Sequence, residues 1–226
     1  MGTPKLDAFL RALTRERRVL LLGGLAIIAH GLSRATKDAD IWLEPMESGE
    51  AWADLLFAAC ARFPETRLAR LPGWTVMETA AEVAMAAEEI GMVRVLGLEC
   101  PLDVFRRPNE FEESAFDEVW SRATVKEDGV HLPDAADLLQ SKHDTGRERD
   151  AEDIHFLEAK LRRVSGEALP TASLAEAEAI FARYVDHAVA ARALENPDPA
   201  VQALARQLLA ELAEQGDPFA RDALGL

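Results

Sequence analysis

Val19-Leu20-Leu21-Leu22-Gly23-Gly24, then His30-Gly31, Arg34 and Thr36, then Asp38-Ala39-Asp40-Ile41-Trp42-Leu43, is the stretch that decides how this chain reads. Four apolar residues in a row predict a buried strand. The paired glycines predict a turn, residues 24–32 a helix and residues 38–43 a second strand. Side chains alternate faces along a strand, so Asp38 and Asp40 point the same way. Two carboxylates side by side on a rigid strand repel each other, yet they suit a divalent cation. The Gly-Gly turn lets backbone N–H groups come close to a phosphate, with a helix N-terminus behind it. Metal-binding carboxylates beside a phosphate cradle are what phosphoryl or nucleotidyl transfer requires.

Outward from this stretch, the pattern alternates between strand and helix. Leu6, Phe9, Leu10 and Leu13 repeat at helical spacing behind Thr3-Pro4, an N-cap with proline at the first helical position. Trp52, Leu55, Leu56, Ala59, Cys60 and Phe63 form an amphipathic helix that Pro64 stops. Residues 68–79 fit neither period, and residues 80–90 predict a helix. Residues 92–98 and 101–106 read as two strands around a tight turn near Gly97, the second carrying Asp103 as a lone acid between Leu102 and Val104. Residues 111–122 are helical, and residues 124–132 suggest a hairpin with a type I′ turn at Asp128-Gly129. Pro133 opens a helix that reaches His143, and another helix runs over residues 150–164. Ser165-Gly166 and Pro170-Thr171 read as a linker. Helices over 174–194 and 199–215 precede a short tail. The expected fold is α/β (α+β), a mixed β-sheet with flanking helices. The expected divisions are a core over residues 1–132, a helical pair closing the cleft over 133–166, and a C-terminal helical appendage over 167–226.

The chain has 226 residues, 49% hydrophobic and 29% charged, which suits a globular protein with a sizeable core. No apolar run approaches the roughly 20 residues that span a membrane. The opening residues lack the apolar stretch of a signal peptide, and Leu6 stands where a myristoylation signal wants Ser or Thr. Cys60 and Cys100 form no CxxC and read as free thiols, pointing to a cytoplasmic protein. The net charge of -15 repels nucleic acid in general. Residues 167–226 carry ten acids against four bases, while Arg15, Arg17, Arg18, Arg67, Arg70, Arg94, Arg106, Arg107, Arg147 and Arg149 lie in the body. They read either as a basic active-site face or as scattered, solvated charges.

The glycine pair, a short spacer and Asp38-x-Asp40 resemble the nucleotidyltransferase superfamily typified by DNA polymerase beta. In that family a third acid follows on a later strand, and Asp103 fits it. The fuller string Gly-Gly-x-Ala…His-Gly…Arg-x-Thr-x-Asp-x-Asp resembles the minimal bacterial branch that includes the AbiE-type abortive-infection toxins. Asp137-Leu138-Leu139…Lys142…Arg147…Asp150…Asp153 is similar to a Lys–Arg–Asp segment that follows the core in those relatives. The resemblance spans residues 18–164 and leaves the C-terminal helices uncovered.

What the resemblance implies is metal-dependent transfer of an NMP from an NTP. Asp38 and Asp40 would bind two Mg²⁺ ions, and Asp103 would complete the catalytic one. Amides at Gly23 and Gly24 would cradle the phosphates, with Arg34, Lys142 and Arg147 reaching them. Many relatives carry a serine where Gly24 stands, so Arg34 and Lys142 are the residues to compensate. The acceptor stays open between protein, tRNA and a small molecule such as an aminoglycoside. The same resemblance implies a toxin–antitoxin or phage-defence setting, with a cognate antitoxin or other partner protein. A competing expectation is a catalytically silent nucleotide-binding or regulatory protein within a two-protein system.

Each residue also has a plainer role open to it. Asp38 and Asp40 could be the wet face of an edge strand, Asp103 a surface acid, and the glycines an ordinary strand-to-helix turn. Arg34, Lys142 and Arg147 could be solvated charges. Asp150 reads best as an N-cap and Asp153 as an acid favouring the helix dipole. The histidines show no zinc-type spacing.

Overall fold

The structure, a computed structural model, describes residues 5–109, 111–126, 128–142 and 148–226. The chain divides into two compact units, Met1–Asp153 and Ile154–Leu226. In the first, the described elements are α1 (Leu6–Thr14), β1 (Val19–Leu22), α2 (Gly23–His30), β2 (Ala39–Leu43), α3 (Gly49–Ala61), β3 (Arg67–Arg70), β4 (Thr75–Val76), α4 (Ala80–Ile90), β5 (Met92–Leu96), β6 (Leu102–Phe105), α5 (Phe116–Arg122), β7 (Thr124–Val125), β8 (His131–Leu132) and α6 (Ala135–Gln140). Helix α7 (Glu148–Ala168) follows, then α8 (Leu174–Arg183), α9 (His187–Ala193), α10 (Pro199–Glu214) and α11 (Pro218–Leu224).

The described strands form one mixed sheet in the order β4-β3-β5-β6-β2-β1-β8-β7. β2 runs parallel to β6 and β1 parallel to β8, and the other pairs are antiparallel. Period-two alternation sorts the central strands. Ala39, Ile41, Leu43, Val93, Val95, Leu102 and Val104 share one core with Leu10 and Leu13 of α1, Trp52 and Leu56 of α3, and Val83 of α4. Asp40, Trp42, Arg94 and Asp103 therefore fall on the other face. There Trp42 is fully buried, its ring 5.2 Å from those of Phe111 and Phe116. Several helices start where the sequence supplies acceptors for orphan N–H groups. Ser48 accepts from Ala51, and Thr79 and Glu82 make a reciprocal capping box on α4.

The mixed sheet with flanking helices and a helical C-terminal region matches the expected fold. The stretch 68–79, which fitted no period, is the β3–β4 hairpin. Its strands are too short for a pattern, and Leu71-Pro72-Gly73-Trp74 turns between them. Helix α7 begins at Glu148, so Asp150 lies inside it and is not its N-cap. The same helix runs through Ser165-Gly166, which are not a linker. Ser165 is buried, and a Cβ on Gly166 would touch Arg192 Cγ at 3.4 Å, so small residues serve close packing here. The expected helix over 174–194 is two. Tyr184 is extended, and the Asp186 carboxylate caps α9 by accepting from the Val189 N–H. Asp217-Pro218, an N-cap followed by proline, starts α11 where a tail was expected. The second unit has its own core around Leu169, Phe181, Val189, Val201 and Leu209. Among the described residues no helix is long and apolar enough to cross a membrane.

Candidate functional site

Sheet register brings the acids together. Asp40 of β2 is paired with Asp103 of the parallel neighbour β6, and Asp103 is paired in turn with Arg94 of the antiparallel β5. Residues paired across neighbouring strands project to the same face. Asp38 sits one residue before β2, its carbonyl accepting from Thr36 Oγ1 at 2.9 Å. The Arg94 guanidinium clasps Asp103 with two bonds, Nε to Oδ1 at 2.6 Å and Nη2 to Oδ2 at 2.7 Å. Nη2 also reaches Asp38 Oδ2 at 3.5 Å. The guanidinium carbon lies 3.8 Å from the centre of the Trp74 ring, which the β3–β4 hairpin holds at φ +57°.

The glycine pair is explained by what lies against it. Gly23 has φ +55°, and a Cβ there would stand 1.8 Å from Asp40 Oδ2. A Cβ on Gly24 would stand 2.6 Å from Thr36 Oγ1 and 2.7 Å from Arg34 Nη2. Only bare backbone lets these polar side chains close on the turn. Gly23 and Gly24 are also the first residues of α2, whose opening N–H groups have no partner within the helix.

The third contribution comes from α6 and α7. Lys142, just beyond α6, is 2.8 Å from Asp150 Oδ1 and 3.0 Å from Asp153 Oδ2. Arg34 Nη1 donates to Asp153 Oδ1 at 2.6 Å. Asp150 and Asp153 are buried, so two carboxylates from the first turns of α7 hold the two basic side chains in place. Asp153 thus bridges cations, where the sequence favoured a helix-dipole role. Arg147 lies outside the described residues.

These groups line one cavity of about 440 Å³. Its polar lining includes Gly23, Gly24, Arg34, Asp38, Asp40, Arg94, Asp103, Ser141, Lys142 and Asp150. Leu22, Leu71, Trp74, Ile90, Met92, Phe105, Pro108 and Asn109 complete the lining. Asp40 is the outlier among the charges. Its carboxylate is in no ion pair among the described residues, and its pKa is pushed up to about 6. Burial is the main cause, followed by repulsion from Asp103 and then Asp38.

A hard divalent cation wants oxygen donors, and Mg²⁺ keeps several waters beside one or two carboxylates. Asp38 and Asp40 fit that chemistry, with Asp40 lacking a cation of its own. Asp103 is already engaged by Arg94 through both of its oxygens. Among the described residues, no group of three or more His, Cys, Asp or Glu side chains is arranged to hold a metal ion.

Sequence reasoning named Arg94 only as one of ten body arginines, missing its pairing with Asp103, and did not single out Trp74. Arg94 was legible in principle: Met92-Val93-Arg94-Val95-Leu96 and Leu102-Asp103-Val104-Phe105 each carry one charge among apolar residues. A hairpin joining them sets those two charges opposite each other. Trp74 left no signal, because its placement depends on the hairpin turn.

No protein-family model matches the chain, and no curated protein matches it. Five solved chains do match. One is described as "Crystal structure of putative nucleotidyltransferase from H. pylori", with 16% identity, 94% of this chain and 95% of that chain covered, and a TM-score of 0.38. A likeness this distant carries no argument about chemistry, which rests on the residues of the cavity.

Proposed function

We propose that the protein is a metal-dependent nucleotidyltransferase, moving an NMP from an NTP to an acceptor. The observation that carries this reading is the Asp40 carboxylate, in no ion pair among the described residues and pressed against the bare backbone of Gly23 at the start of α2. It would serve as an oxygen ligand for a cation, beside helix-opening N–H groups that lack an intrahelical partner and suit phosphate oxygens. Asp38 and Asp40 would hold a divalent ion, which supplies charge neutralisation at the transferring phosphate and lowers the pKa of a bound oxygen nucleophile. Gly23 and Gly24 would orient the phosphates through backbone amides. Lys142 and Arg34, steadied by Asp150 and Asp153, border the same cavity and would add charge-assisted donors. The sequence resemblance to the minimal bacterial branch agrees with this and makes a toxin–antitoxin or phage-defence setting the natural one.

The reading is tested by incubating the protein with each α-labelled NTP, Mg²⁺, cell protein, total RNA and small-molecule acceptors. The expected result is transfer of label to one class with release of pyrophosphate, abolished in Asp40→Asn. One observation favours the second reading, a silent nucleotide-binding protein: Arg94 occupies the acid that the transferase pattern assigns to catalysis. Tight binding of Mg²⁺-NTP with no pyrophosphate release from any acceptor mixture would establish that reading and overturn the first.

A further inference from the structure

We infer that Arg94 is the built-in cation of Asp103, so that the nucleotide-free protein takes one divalent ion, on Asp38 and Asp40, and Asp103 is a positioning residue. This rests on the metal-dependent reading above. Three features fix the Arg94–Asp103 pair. Their strands set them directly opposite each other, so neither backbone has to move for them to meet. The contact is a two-bond fork, the geometry that uses a guanidinium fully and leaves Asp103 no free oxygen edge on that side. Trp74 stacks on the guanidinium face, and both side chains are largely buried, at 15% and 10% exposure. Releasing Asp103 to a metal would strand the Arg94 charge beside that same metal.

Charge accounting points the same way. Arg34 and Lys142 are matched by Asp150 and Asp153. Among the described residues of the cavity, that leaves Asp38, Asp40 and Asp103 against Arg94, a surplus of two negative charges. One divalent ion neutralises it. A second would create a positive excess in a half-buried site, a costly arrangement before any phosphate arrives. By holding Asp103 and reaching Asp38, Arg94 fixes where the single ion sits.

The test is Mn²⁺ titration of the nucleotide-free protein, followed by electron paramagnetic resonance of the free ion. Wild type is expected to bind one ion. The double variant Arg94→Gln/Asp103→Asn removes one charge of each sign and keeps the net charge of the site. It is expected to retain one ion at unchanged affinity, whereas Asp40→Asn loses affinity by at least about tenfold. Arg94→Lys, which disturbs the fold least, is expected to keep a stoichiometry of one. Two ions on wild type overturn the inference and leave the transferase reading standing. A loss of about tenfold or more in the double variant makes Asp103 a ligand and overturns it as well. Absence of Mn²⁺ binding to wild type overturns both readings together.

Discussion

Gly23 and Asp40 are one feature seen from two sides, and both can be tested singly. Gly23→Ala places a methyl group where Asp40 Oδ2 now lies and puts a side chain at φ +55°. The backbone conformation alone costs roughly 1–2 kcal/mol in a non-glycine residue. The variant is expected to lose at least that in chemical denaturation and to lose Mn²⁺ binding, because Asp40 must move. Unchanged metal affinity would separate the glycine from the carboxylate. Asp40 itself should impose a pH dependence on the metal-free protein. Its folded-state pKa of about 6 stands above the ordinary 3.8, so the folded form holds the proton more tightly than the unfolded chain. Its contribution to stability is fully present below pH 3.8, is lost as pH rises through about 6, and is flat above that. Two units correspond to roughly 3 kcal/mol. Asp40→Asn is therefore expected to be more stable than wild type at pH 7.5 by up to about that amount and little different at pH 4. Denaturation curves at the two pH values check it, and equal stability at pH 7.5 would mean that the carboxylate has a partner in solution. The spacing Asp38-x-Asp40 behind two glycines made these residues legible, since alternation on a strand is a local rule. The identity of the cation facing Asp103 was not local, and so it was missed.

At the scale of elements, the junction of α6 and α7 is the least expected construction. Asp153 is fully buried, and it is the shared partner of Arg34 from the loop after α2 and Lys142 from the end of α6. Removing one partner of a buried ionic set leaves the others uncompensated, at a cost of roughly 3–5 kcal/mol. Asp153→Asn is expected to lower stability by that order in urea and to weaken NTP binding, because both basic side chains lose their anchor. A loss of binding with full stability would place Asp153 at the ligand instead. The Lys142, Asp150 and Asp153 spacing was visible in the chain, and helical period put Asp150 and Asp153 on one face. Their burial was not visible, because it is set by which loop packs against that helix face. The same distinction explains the rest of the fold. Helices with caps and long apolar periods, such as α4 between Thr79 and Gly91, were readable to the residue. The β3–β4 hairpin and the break at Tyr184 were not, because tertiary contacts outweigh weak local preference there.

Over the whole molecule, the question is what acceptor a protein with a net charge of -15 can engage. Of the ten body arginines that might have formed a basic face, four are committed to carboxylates among the described residues. Arg18 pairs with Glu44 and Asp117, Arg70 with Glu89, Arg94 with Asp103, and Arg106 with Glu113. A polyanion would have to break these pairs to use those four cations, while the acidic surface of a chain with net charge -15 repels it. Non-specific nucleic-acid affinity comes from unpaired cations releasing counterions, and typically lies at about 10⁻⁴–10⁻⁶ M at physiological salt. The protein is expected to fall below even that range. Fluorescence anisotropy of a labelled tRNA pool in 0.15 M salt, an ionic strength of roughly physiological value, should show no saturation at protein concentrations up to about 100 µM. In the labelling experiment, RNA should then remain unlabelled, with the NMP on a protein or a small molecule. Saturable tRNA binding that weakens steeply with added salt would show instead that these ion pairs open to phosphates, and would return RNA to the head of the acceptor classes.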